Sequence, residues 1–207
     1  GELEKYLFVV VDQLSRGIDA DTIDGDEKLQ IAGLCLRAGE RSMISNDLKT
    51  ALKYLKLGKS LLDIRRDWRD KYELILGFEN SIAQASCLTA DYAAVDEAVN
   101  SISLHARSFE DKIPGLTLQI YAMSITLRLQ EALTLGLEVL EYLGEKIPEN
   151  PSKFRLVASL LNVKRMLRGK SDRDIMHLPD MKDSNKLSAM NILNLLAIVT
   201  YKKKKNL

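Results

Sequence analysis

Prolines, cysteines and histidines are all scarce in this sequence, and each shortage narrows what the protein can be. Four prolines and 6% aromatic residues among 207 positions, in a chain rich in leucine, alanine, lysine and glutamate, favour α-helix. The two cysteines, Cys35 and Cys87, both lie in apolar helical patterns. We expect them to be buried, reduced thiols and not a disulfide.

An excess of charge of one sign is also missing, as is any long apolar run. The 30 Lys and Arg residues nearly equal the 29 Asp and Glu residues, so no overall field favours nucleic acid or acidic substrates. The apolar run at 192–201 includes Asn194 and Thr200 and is far shorter than the roughly 20 residues of a membrane span. Because no signal peptide is present, we expect a cytoplasmic protein, and Gly1 at the start indicates a piece of a longer chain.

Small and apolar residues recur with helical spacing at three places, each just after a predicted turn. In each copy they lie four and then three positions apart, which places them on one face of a helix. The copies are Ala51, Leu55 and Gly58; Val95, Val99 and Ile102; and Ala132, Gly136 and Val139. This spacing is typical of a helical hairpin whose second helix packs closely on its first. The steps of 44 and 37 residues between copies are uneven, whereas a regular array repeats about every 34.

The periodicity predicts nine or ten helices in one all-α domain, 1–207, with antiparallel neighbours because the connections are short. A first helix is predicted at 2–16, and Asp24 or Asp26 is expected to cap the second. The alternation at 116–127 is compatible with a strand, but flanking helices favour a buried helix. The predicted hairpins are 27–64, 68–110, 114–145 and 151–201, followed by a mobile basic tail at 202–207.

Two apparent ligand-binding motifs do not meet the requirements of their chemistry. Gly58-Lys59-Ser60 resembles the end of a phosphate-binding loop, but Lys53 occupies the place of the first glycine and no strand precedes it. We therefore expect Gly58 to permit close helix contact. The acidic stretch 19–25 resembles a calcium loop, but Ile23 occupies a ligand position and no closing glutamate follows.

No residue set predicts a catalytic, cofactor or metal site. His105 and His177 are the only histidines, and neither has a metal ligand at a recognised spacing. Trp68 stands among Arg65, Arg66 and Arg69, which indicates either an exposed recognition spot or, as we favour, an aromatic that fastens two helices together.

The recurring pattern resembles the tetratricopeptide repeat, although Ser42 and Ser86 occupy positions where an aromatic is usual. A closer resemblance covers nearly the whole chain. It is to a helical region of large signalling proteins that combine an AAA-type ATPase with serine/threonine or histidine kinase modules. The resemblance is carried by segments 34–39, 51–55, 68–74, 136–140, 143–144, 147–148 and 178–183. It implies a right-handed superhelix of stacked hairpins and a regulatory role, and it transfers no catalytic residue.

We therefore expect a non-catalytic module that contacts proteins, peptides or neighbouring domains of the same chain, with no nucleic acid and no membrane span. A concave face formed by the first helices of the hairpins would bind the partner. Its candidate residues, all expected to be exposed, are Arg37, Arg41, Glu79, Gln84 and Gln119. Two alternatives stay open: an enzyme with an unrecognised site, and a membrane-surface or nucleic-acid adaptor that uses Lys202–Lys205.

Overall fold

Helices make up all the regular structure in the described part of the computed structural model, which covers residues 2–17, 24–148 and 152–205. The predicted all-α class is confirmed. A single 3₁₀ turn, Glu110–Lys112, precedes α7. The α-helices are α1 Glu2–Gly17, α2 Gly25–Ile44, α3 Leu48–Ser60, α4 Ile64–Asp70, α5 Tyr72–Leu88, α6 Tyr92–His105, α7 Ile113–Ile125, α8 Leu129–Tyr142, α9 Lys153–Leu167, α10 Asp172–Met176 and α11 Ser184–Lys205.

The chain divides into two compact units, Gly1–Ala122 and Met123–Leu207. In the first unit the most extensive pairings are α2 with α3 and α5 with α6, within the predicted hairpins 27–64 and 68–110. Helix α3 also packs on α5, and α1 packs on α2. Each helix therefore buries its apolar face mainly against a near neighbour in the sequence.

One turn geometry recurs where helices end. Asn46, Ala90 and Leu127 each adopt a left-handed φ near +60°, and Gly144 does so at +90°. In each case the following N–H donates to a carbonyl five residues back, which satisfies an otherwise unpaired helix-end oxygen. These bonds are Asp47 to Ser42, Asp91 to Ser86, Arg128 to Met123 and Glu145 to Leu140. The first three turns lie 44 and 37 residues apart, so they follow the repeat found in the sequence.

Aspartates cap helices α2, α3 and α6 of the first unit. Asp24 caps α2 by accepting from the N–H of Glu27 at 2.8 Å, which confirms one of the two predicted caps. Asp47 and Asp91 cap α3 and α6 in the same way. A side-chain oxygen at this position satisfies a backbone donor that the helix leaves free.

Glycine allows α2, α3 and α5 to approach closely. A Cβ placed on Gly58 of α3 would lie 2.5 Å from Cζ of Phe78 and 2.6 Å from Cβ of Cys35. A Cβ on Gly39 would lie 2.6 Å from Cγ of Leu55. The predicted packing role of Gly58 is confirmed, and Cys35 and Cys87 are buried free thiols as expected. Burial raises the pKa of the Cys35 thiol to about 11.

Trp68 joins α4 to α6, as predicted. It is 4% exposed, and its ring stacks on His105 with 5.0 Å between centroids and 8° between planes. The Nδ1–H of His105 donates to the Ser101 carbonyl, which holds the ring in that orientation. Arg66 and Arg69 are exposed and pair with Asp70.

Two predicted helix boundaries differ from the structure. Within the predicted hairpin 68–110, the first helical segment is interrupted at Lys71, which separates α4 from α5. The hairpin is predicted to continue to residue 110, but α6 ends at His105, and Ala106 has the extended ψ of 132°. A tertiary contact accounts for this end, because the N–H of Arg107 donates to the Tyr72 hydroxyl at 2.9 Å. Segment 116–127 is confirmed as helical through Ile125.

In the second unit, α8 packs on α11. A Cβ on Gly136 would lie 2.5 Å from Cδ2 of Leu196. The absence of a side chain at Gly136 therefore allows Leu196 of α11 to pack against α8. Within the predicted hairpin 151–201, by contrast, every described side chain of α9 is exposed. The tail predicted to be mobile is helical through Lys205, and Lys202 Nζ donates to the Ser124 carbonyl at 3.0 Å.

We predict that Ala90→Gly stabilises the protein by about 0.5–1 kcal/mol, because glycine relieves the left-handed strain. Ala93→Gly, the same change inside α6, should instead destabilise it by about 0.5 kcal/mol. Urea unfolding followed by circular dichroism measures both. Equal effects of the two variants would contradict the strained turn.

A second prediction concerns the close approach at Gly58. Gly58→Ala should destabilise the protein by about 1–3 kcal/mol, since the added methyl overlaps Phe78 and Cys35. Gly33→Ala is the matched control, because no atom lies within 4 Å of its Cβ position. The free energy of unfolding of that variant should rise by up to about 1 kcal/mol, because alanine has a higher helix propensity than glycine. The difference in free energy of unfolding between the variants is the test, and no difference would refute the contact.

Candidate protein-interaction surface

The structure places the five predicted partner-binding residues in different environments. Arg37, Arg41 and Gln84 are exposed, as expected. Gln119 is half-buried, and its amide donates to Oδ1 of Asp96 at 2.9 Å. Glu79 is buried, so the expectation that it is exposed was wrong. The sequence does not reveal this burial, because the groups that compensate the charge come from other helices.

Glu79 forms a network that links three helices of the first unit. Its carboxylate accepts a hydrogen bond from Lys59 Nζ of α3 at 2.8 Å and another from Ser101 Oγ of α6 at 2.7 Å. The Glu79 side chain is 1% exposed, whereas that of Lys59 is 30% exposed. A buried carboxylate requires such partners, since unpaired it would lose its hydration without compensation. The network therefore has a structural role in joining α3, α5 and α6.

A cleft of about 520 Å³ lies beside this network. It contains Lys56 and Glu97 in addition to Glu79, Lys59 and Ser101. No group of three His, Cys, Asp or Glu residues in the described ranges is placed to hold a metal ion. Most of the calcium-like stretch 19–25 lies outside the described residues, and its Asp24 is used as a helix cap.

The most unusual surface is α9 in the second unit. Ser152 begins the helix by accepting from the N–H of Arg155, and Gly169, at φ +80°, follows its end. Phe154 is 84% exposed and Leu160 is 74% exposed, values far above those of core side chains. The other exposed large apolar residues of α9 are Val157, Leu161, Val163, Met166 and Leu167. A helix this apolar ordinarily has a partner that covers it.

Charge on this segment has one sign. Residues 154–170 include five basic side chains and no Asp or Glu, although the whole chain is nearly neutral. The five are Arg155, Lys164, Arg165, Arg168 and Lys170. Basic side chains also suit the last turn of the helix, where the dipole is negative. The surface thus combines apolar contact area with a local positive field.

The apolar exposure continues beyond α9. Helix α10, which the sequence analysis did not predict, is held by a capping box in which Ser171 and Asp174 bond reciprocally. Met176 is exposed beside it, as is Leu178 in the following segment. We define the interaction surface as the exposed side chains of 154–178. The sequence signal that could have identified it is the spread of apolar residues over more than half the circumference of a helix, in a stretch, 154–170, that has no acidic residue.

We predict that Glu79→Ala destabilises the protein by about 2–3 kcal/mol, because Lys59 and Ser101 lose their common acceptor. Gln84→Ala, on the exposed side of the same helix, should change stability by less than about 0.5 kcal/mol. Chemical denaturation of both variants is the measurement. A fully stable Glu79→Ala protein would show that the network is dispensable.

No described helix is long and apolar enough to cross a bilayer. No protein-family model matches the chain, no curated protein is significantly similar in sequence, and no solved structure is significantly similar in fold.

Proposed function

We propose that this chain is a non-catalytic helical module for protein–protein or interdomain interaction. The observation that carries the proposal is α9, an apolar helix whose described side chains are all exposed. Burying a large apolar side chain yields about 1.5–3 kcal/mol, so several of these residues together can offset the cost of association. A partner that covers α9 would remove these apolar side chains from water and so provide a more favourable environment for them.

The helical-repeat architecture supports the same proposal. The recurrent left-handed turn follows the uneven repeat of the sequence, and in the first unit α2 packs on α3 and α5 packs on α6. Arrays of this kind present surfaces to partners. We extend the proposal to a stacked, tetratricopeptide-like arrangement in a signalling ATPase or kinase, on the basis of the sequence resemblance described above. Arg37, Arg41 and Gln84 would then form a second, more polar contact region.

The alternative role for the lysine tail has less support. Lys202 donates to the carbonyl of Ser124, and Lys203 donates to the side chain of Gln130. Both ammonium groups therefore contact their own unit, which reduces the charge available for an anionic surface. The apolar area of α9 is the larger source of binding free energy.

We predict that Leu161→Asp abolishes partner contact without unfolding the protein. Leu161 is 59% exposed, so the change should alter the free energy of unfolding by less than about 0.5 kcal/mol. A photo-crosslinking residue at Leu160 should form protein adducts in the host cell, and the added Leu161→Asp substitution should remove them.

Asn162→Asp is the matched control, because it adds the same charge at the next position, among the polar residues of α9. The Asn162→Asp variant should retain the free energy of unfolding of the unsubstituted protein and should still form the protein adducts. Adducts that persist in the Leu161→Asp variant would contradict the proposed surface. So would a loss of about 3 kcal/mol in stability, since that would identify Leu161 as a core residue.

A further inference from the structure

The geometry of α9 points to a specific kind of partner: a protein whose acid-rimmed apolar groove closes around this helix. The inference rests on the proposed function, since it names the chemistry of the partner that would cover α9. Helix α9 would be the inserted ligand, and the partner would supply the pockets.

Apolar side chains lie on more than one side of α9. Leu161 and Val163 are two residues apart, which is about 200° around a helix, and both are more than half exposed. Phe154 lies on the side of Leu161, whereas Leu167 lies on the side of Val163. A flat surface can cover only one of these sides. A partner that reaches around the helix can cover both.

The same arrangement disfavours a bilayer as the partner. A helix that lies in a membrane interface keeps its polar residues on one side and its apolar residues on the other. On α9, Lys164 falls between Leu160 and Val157 when the helix is viewed down its axis, so the charge stands within an apolar sector. An acidic group of a protein groove can neutralise this lysine beside the leucine, whereas acyl chains cannot.

Charge also disfavours a second copy of this chain. The interaction surface 154–178 carries six basic residues against two acidic ones, Asp172 and Asp174, so two such surfaces would repel each other. A partner with an acidic rim, by contrast, is attracted by the opposite charge of this surface, which also raises the rate of association. Both observations favour an acidic partner that encloses the helix.

Calcium-loaded calmodulin is a suitable probe, since it offers Met-rich apolar grooves that adapt to many helices. Titration of the full chain by isothermal calorimetry should give a dissociation constant of about 1 µM or tighter. Removing calcium closes the grooves and should abolish binding. Leu161→Asp and Val163→Asp should each weaken binding at least about tenfold, since both sides of the helix are enclosed.

Charge reversal tests the acidic rim separately. The double variant Arg165→Glu/Arg168→Glu should weaken binding at least about tenfold, and added salt should weaken the wild-type complex. Lys49→Glu, at an exposed position of α3, should leave affinity unchanged. Sensitivity to Leu161→Asp without sensitivity to Val163→Asp would overturn enclosure, because only one side would then be in contact.

Three further outcomes would overturn the inference. They are no saturable binding to calcium-loaded calmodulin, Leu161-dependent binding to vesicles of phosphatidylcholine and phosphatidylserine, and Leu161-dependent self-association in sedimentation. The first outcome together with crosslinks from Leu160 to another protein would leave the proposed function intact and refute only the acidic groove. Absence of both calmodulin binding and crosslinks would refute the proposed function as well as the acidic groove.

Discussion

Close contact at Gly58 governs how the first unit is assembled. Helix α3 meets Cys35 of α2 and Phe78 of α5 at the same residue, and the space there admits no side chain. This approach brings α3 near enough to α5 for Lys59, the next residue, to reach the buried carboxylate of Glu79. Packing and electrostatics are therefore coupled: the absence of one Cβ positions the cation that makes a buried anion tolerable.

One turn geometry recurs at the three places where the sequence pattern repeats, although the steps between them are uneven. Asn46, Ala90 and Leu127 share a left-handed conformation although only the asparagine favours it intrinsically. The alanine and leucine are held there by the bond that the next N–H makes to the preceding helix end. The helices between these turns can consequently differ in length while the turn geometry is preserved. The 44- and 37-residue steps reflect this tolerance.

Residues governed by local chemistry could be predicted from the sequence, whereas residues governed by distant contacts could not. The cap at Asp24 and the helical conformation of 116–125 depend on neighbours a few positions away, and the local spacing of Ala51, Leu55 and Gly58 marks Gly58 as a packing position. The end of α6 depends on the Tyr72 hydroxyl, and the burial of Glu79 depends on Lys59 and Ser101, all distant in sequence. Helix α9 was predicted, but its exposure was not, because an apolar helical pattern normally indicates burial.

The cleft beside Glu79 and the exposed helix α9 differ in what they offer to a partner. Each carboxylate oxygen of the buried Glu79 already accepts a hydrogen bond, one from Lys59 and one from Ser101, so it offers little to a ligand even though a cleft adjoins it. Helix α9 has the opposite character, since its apolar side chains gain nothing from water and the stretch 154–170 contains basic residues and no acidic one. A partner can improve the environment of α9 on both counts, through burial and through charge. The free energy available for binding therefore lies in α9 more than in the cleft beside Glu79.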